Sequence, residues 1–217
     1  TRLRRAEDAA RTLAYFDSAT GLPNRRHFVE QVGIALNNRR PGSAACVASI
    51  RVHGLERIAQ AHGREVGSRI LSETARQLEL ALADASAGSG VPENPSATAV
   101  CRTSESGLAV LVPSRESADR LPELVAGVLA RVSGKQTSLP TEYLPGLSAG
   151  LALVDGETTD AEQLLTNAQA AAELANEPRS CEVFSPVPLA RLRRRLAIEA
   201  GLRRAVEAGE LDLAYQP

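Results

Sequence analysis

The stretch Thr98-Ala-Val-Cys-Arg-Thr-Ser-Glu-Ser-Gly-Leu-Ala-Val-Leu-Val112 decides the fold. Its two ends, Thr98 to Thr103 and Gly107 to Val112, are rich in β-branched and apolar residues. The small polar residues between them predict a tight turn joining two antiparallel strands. Everything on either side alternates between helix and strand. Upstream, Ala44 to Val52 is apolar and short enough for a buried strand. Leu55 to His62 reads as a helix, with Gly63 placed to cap it. Val66, Ile70, Leu71, Leu78 and Leu82 then mark one face of a longer amphipathic helix. Residues 84–97 are rich in Gly, Ser, Pro and Ala and are expected to form a long exposed loop.

Downstream, a helix is expected near Ser117 to Val132 and a strand from Leu147 to Val154. Asp160 is a good N-cap for a helix ending near Ala175, and Cys181 to Phe184 reads as a short strand. The order is β-α-α-β-β-α-β-α-β. Its core, βαββαβ, is the split βαβ arrangement of ferredoxin-like and polymerase-palm folds. The fold class is therefore α/β (α+β), with a central, mostly antiparallel sheet flanked by helices. Before this core, Asp17 to Asn24 is turn-rich, with Gly21 and Pro23 as punctuation. A helix of about His27 to Leu36 follows, with Phe28, Val32 and Leu36 on one face, ended by Arg40, Pro41 and Gly42.

Two further segments flank this unit. Residues 2–15 read as a helix with Leu3, Ala6, Ala10 and Leu13 in a narrow stripe. It is either a short coiled coil carrying a signal, which would allow a homodimer, or a solvated linker. After Pro186, Leu189 to Ala208 reads as an arginine-rich helix with Leu192, Leu196 and Ile198 as apolar positions. Gly209 closes it and Leu211 to Gln216 alternates like a strand. Arg193, Arg194 and Arg195 form either a solvated face or a docking patch. The expected division is a linker helix at 1–15, a main domain at 16–185 and the start of another domain at 186–217, as in a piece of a longer protein.

Bulk properties narrow the function. With 43% hydrophobic and 24% charged residues, the 217-residue chain has the composition of a globular protein. A net charge of −1 gives no bulk pull toward nucleic acid or anionic lipid. No apolar run approaches a membrane span, and no secretory signal opens the chain. Cys46, Cys101 and Cys181 are far apart and odd in number, without the spacing of a zinc site, and are expected to be buried reduced thiols. Together these features point to the cytoplasm.

The segment Leu13-Ala-Tyr-Phe-Asp-Ser-Ala-Thr-Gly-Leu-Pro-Asn-Arg-Arg-His-Phe28 closely resembles the opening of GGDEF domains. Leu147-Ser-Ala-Gly-Leu-Ala152 resembles a later strand of that family. The tail, from Leu189 through Gly209-Glu-Leu-Asp-Leu-Ala-Tyr-Gln-Pro217, resembles the start of EAL domains, which commonly follow GGDEF domains. The resemblance implies a hybrid GGDEF–EAL protein of cyclic-di-GMP signalling. An upstream sensory domain and the adjacent EAL domain would be its partners. In the family, two GGDEF domains meet, each holding one GTP with Mg²⁺, and make cyclic-di-GMP.

The residues that the resemblance places in that site are not those such chemistry uses. Arg51 stands where a metal-binding aspartate is expected, and His53 stands at the next acidic position. Ala59 and Ser68 replace the guanine contacts, and Asn176 replaces a phosphate-facing lysine. The signature turn is Ser104-Glu105-Ser106-Gly107-Leu108: Ser104 and Glu105 replace its two glycines, and Ser106 and Gly107 its acidic pair. Pro95 and Thr98 stand where an inhibitory product site would have an arginine and an aspartate. The expectation is a degenerate domain without cofactor, metal or cyclase activity, acting on its EAL neighbour and on protein partners. GGDEF–EAL proteins with eroded sites include FimX-like regulators of type IV pili. The competing readings are a divergent cyclase and a GTP-sensing domain. His53 and His62 are expected at the surface or at helix ends.

Overall fold

The computed structural model describes residues 12–39, 43–87, 99–114, 117–133, 145–154 and 160–186. The chain divides into two compact units between Phe184 and Ser185, and the described residues fall almost entirely in the first. The expected helix at 189–208, the strand at 211–216, most of the 2–15 helix, and Pro95 and Thr98 lie outside the described residues.

The elements follow the expected order. They are α1 (Arg25–Asn37), β1 (Ala44–Val52), α2 (Leu55–His62), α3 (Arg64–Ala87), β2 (Cys101–Arg102), β3 (Gly107–Ser114), α4 (Leu121–Val132), β4 (Leu147–Leu153), α5 (Ala161–Leu174) and β5 (Cys181–Val183). The five strands form one sheet in the order β2-β3-β1-β4-β5. β1 pairs antiparallel with both β3 and β4, β2 pairs antiparallel with β3, and β5 joins β4 in parallel.

β1 is central, and residues 45–50 are all buried. The period-2 alternation of a strand divides its side chains between two cores. Cys46, Ala48, Ile50 and Val52 pack with Ile70, Leu71 and Leu78 of α3 and Val125 and Leu129 of α4. Ala45 and Val47 face the other way, onto Phe28 and Val32 of α1 and Leu164, Leu165 and Ala168 of α5. The result is a sheet covered by helices on both faces. Full burial of a side chain such as Ile50 contributes about 1.5–3 kcal/mol.

Local chemistry sets the helix starts. Asn24 Oδ1 accepts from the His27 N–H at 3.0 Å, starting α1 two residues before the apolar periodicity suggests. Asp160 Oδ1 accepts from the N–H groups of Glu162 and Gln163, as its cap position implies. Gly63, at φ 95°, separates α2 from α3 in a conformation that side chains resist.

Four expectations need correction. Residues 84–87 are the last turn of α3 rather than loop; Ala85 and Ala87 are strong helix formers. The strand expected at 98–103 is regular only at Cys101–Arg102, because the Thr103 and Ser104 N–H groups already close the turn onto the Gly107 carbonyl. Residues 118–120 form a 3₁₀ turn ahead of α4. The three thiols are free, but only Cys46 and Cys101 are buried, while Cys181 on edge strand β5 is half-buried. Burial raises the Cys101 thiol to about 12, with Glu79 adding to it, and the Cys181 thiol to about 11, with Glu182 adding to it.

Candidate functional site

The site positions gather where β1 ends, beside the turn between β2 and β3. Arg51 lies opposite Gly107 of β3 on one side and Ser148 of β4 on the other. The turn closes when the Thr103 and Ser104 N–H groups donate to the Gly107 carbonyl at 3.0 and 3.3 Å. A Cβ on Gly107 would meet the Ser104 hydroxyl, a contact that rotation of the serine side chain relieves. Leu108 follows as a fully buried core residue.

Two clefts flank the turn. The larger, about 1300 Å³, opens where α2 meets α3 and includes Ala59, Ser68 and Glu105 in its walls. The smaller, about 800 Å³, lies between β1, the turn and α5 and contains Arg51, His53, Ser104, Ser106 and Gly107. Five of the residues named from the sequence thus share the smaller cleft and three the larger, while Leu108 and Asn176 line neither. Asn176 lies beyond the end of α5, exposed to solvent and outside both clefts.

Several polar groups of the smaller cleft have partners, while the buried Thr103 hydroxyl has none among the described residues. The Arg51 guanidinium forms an ion pair with Glu173 of α5. His53 Nε2 lies 2.8 Å from Ser148 Oγ, a hydroxyl fully buried on β4. Partial burial and the nearby Arg51 charge lower the His53 pKa below its usual value, favouring neutral imidazole. Ser106 Oγ donates to Glu56 Oε1 at 3.4 Å. Glu105 points away from this cleft and pairs with Arg64 at 3.3 Å, both side chains well exposed. His62 is exposed at the end of α2, as expected.

The larger cleft is closed at one end by a bridge between the opening turn and β2. Arg102 Nη1 donates to Asp17 Oδ1 at 2.8 Å, and Arg102 Nε donates to the Ser104 carbonyl at 3.1 Å. Burial raises the Asp17 pKa, but hydrogen bonds from Thr20 and Arg102 outweigh it and hold the carboxyl below its usual range. Ala59 packs tightly against α3: a Cβ on Gly67 would sit 3.0 Å from the Ala59 Cβ.

Sequence reading missed Glu173, Glu56, Ser148 and the Asp17–Arg102 bridge. None carries a local signal, because each partner lies on a distant element. Among the described residues no three His, Cys, Asp or Glu side chains are grouped to hold a metal ion. A guanidinium at the end of β1 attracts anions and repels divalent cations.

Comparison with known proteins fits this architecture. Residues 14–180 match the family model described as "Diguanylate cyclase, GGDEF domain". The chain is 26% identical over 219 residues to cyclic di-GMP phosphodiesterase PdeR of Escherichia coli, covering all of this chain and 31% of that protein. It is 25% identical over 218 residues to cyclic di-GMP phosphodiesterase NbdA of Pseudomonas aeruginosa, covering 98% and 26% of the two chains. The chain thus spans less than a third of the length of these relatives. Among solved structures, the isolated GGDEF domain of YfiN (TpbB) from Pseudomonas aeruginosa superposes with a TM-score of 0.64 at 19% identity. That match covers 82% of this chain and 99% of the other. Diguanylate cyclase SiaD from the same organism, in complex with its activator SiaC, gives a TM-score of 0.61 at 24% identity, covering 84% and 66%. With 14–180 matched by the family model, the chain belongs to the GGDEF domain family.

Proposed function

We propose that this GGDEF domain is non-catalytic, and that it regulates or scaffolds an adjacent EAL domain and partner proteins in cyclic-di-GMP signalling. The observation that carries this reading is the Arg51–Glu173 ion pair at the end of β1. Magnesium takes hard oxygen ligands that offset triphosphate charge. The smaller cleft offers a guanidinium, an imidazole and hydroxyls. Its two carboxylates, Glu173 and Glu56, lie against the Arg51 guanidinium and the Ser106 hydroxyl. This donor set does not suit a magnesium–triphosphate.

The other replaced positions point the same way. Ala59 presents a methyl group where a base would need a hydrogen bond, and Ser68 reaches less far than a carboxylate. Asn176 carries no charge. Each absent polar contact forgoes about 1.5–3 kcal/mol, too much in sum for one substitution elsewhere to restore. Glu105 does not replace the lost acids, since it lines the larger cleft and not the one that holds Arg51. Pro95 and Thr98 leave the inhibitory product site without its charges.

The segment from Leu189 to Pro217 is read as the start of the EAL domain, and 2–15 as the helix that joins an upstream sensory domain. A cytoplasmic protein is the setting this implies. The test is incubation of the purified protein with GTP and Mg²⁺. No dinucleotide product is expected; product formed at a cyclase-like rate would establish the competing reading, a divergent enzyme.

A further inference from the structure

We infer that the smaller cleft is a docking site for an acidic segment of a partner protein, with Glu173 as its resident competitor. The inference rests on the reading of Arg51 given above and names what the altered cleft would bind. Two guanidinium groups, Arg51 and Arg57, line this cleft of about 800 Å³ together with His53. Arg57 is exposed, and no acidic side chain among the described residues pairs with it. The acidic groups in the same walls are Glu56 and Glu173. Glu56 is held toward the turn by Ser106.

The structure itself displays the chemistry the cleft accepts. Among the described residues, the acid paired with Arg51 is a carboxylate on a helix, that of Glu173. Its side chain is 72% exposed, whereas that of Arg51 is 31% exposed. An ion pair with so exposed a partner is weak and exchangeable. A carboxylate from another chain could take its place on the Arg51 fork and reach Arg57 as well. The guanidinium fork matches carboxylate oxygens in pairs. Ser104 and the amide nitrogen of Gln169 line the same walls and supply neutral hydrogen-bonding groups for a peptide backbone, while the Thr166 hydroxyl donates to the Glu162 carbonyl.

The test is fluorescence anisotropy with a labelled hexaglutamate peptide, in EDTA, with hexaglutamine and inorganic pyrophosphate as the other probes. Hexaglutamate should bind and hexaglutamine should not. Glu173→Gln, which removes the competitor from an exposed position, should tighten hexaglutamate by about threefold or more, the loss of one exposed ion pair. Arg57→Gln, also at an exposed position, should weaken it by a similar factor, and Arg51→Gln should weaken it further. No hexaglutamate binding, or affinity unchanged by Glu173→Gln and Arg57→Gln, would overturn the inference. So would pyrophosphate binding while hexaglutamate does not, which would assign the cleft to phosphate. Dinucleotide synthesis from GTP would instead sink the non-catalytic reading, so the two failures are distinct.

Discussion

At the scale of single residues, two positions carry measurable consequences. Arg179 is the one residue other than glycine with positive φ among the described residues, at 69°. It sits in the turn between α5 and β5, where its N–H donates to the Leu147 carbonyl. A side chain in this conformation costs about 1–2 kcal/mol relative to glycine, part of which glycine returns through its greater freedom in the unfolded chain. Arg179→Gly is therefore expected to raise the midpoint of urea unfolding, by about 0.5–1 kcal/mol in stability. The second position is His53. Its pKa lies below the usual 6.5, first through burial and then through Arg51. The folded state thus binds a proton less readily than the unfolded chain. The contribution of His53 is complete above 6.5 and is lost as pH falls below it. Urea titrations between neutral and mildly acidic pH should show that decline, and His53→Gln should flatten it.

At the scale of elements, the contact between α5 and β4 is the most demanding. A Cβ on Gly150 would run into the α5 backbone at Ala168, Ala171 and Ala172. The helix can lie this close only because both surfaces are small. Gly150→Ala should cost about 2–3 kcal/mol by overpacking. Gly127 is the control: it is exposed within α4 and has open space beside it. Gly127→Ala should instead add about 0.5–1 kcal/mol through helix propensity. Thermal unfolding of the two variants should move in opposite directions.

The elements also separate what was legible in the sequence from what was not. β1 and α2 begin and end where apolar runs and punctuation place them, at Ala44–Val52 and Leu55–His62. Their limits are set by local chemistry. β2 is shorter than expected, and its outward Arg102 N–H bonds the carbonyl of Pro23, a distant partner. The site divides in the same way. The signature positions Arg51, His53 and Ser104 to Gly107 could be named from the residues, because a strand and a tight turn keep them in fixed order. The groups that engage them could not. Glu173 meets Arg51, and Ser148 meets His53, only after helix and sheet have packed.

At the scale of the whole molecule, the sheet carries both cores while its β1 end, with the β2–β3 turn, carries the clefts. The packing preserves the family fold, and the cleft beside β1 carries the Arg51 guanidinium, on which the proposed loss of magnesium binding rests. The Asp17–Arg102 bridge ties the opening turn to β2. The most direct measurement is calorimetric titration of the purified protein with GTP in the presence of Mg²⁺. No saturable heat is expected up to about 1 mM nucleotide, corresponding to less than about 4 kcal/mol of binding. A saturating isotherm at micromolar concentration that requires Mg²⁺ would contradict the account.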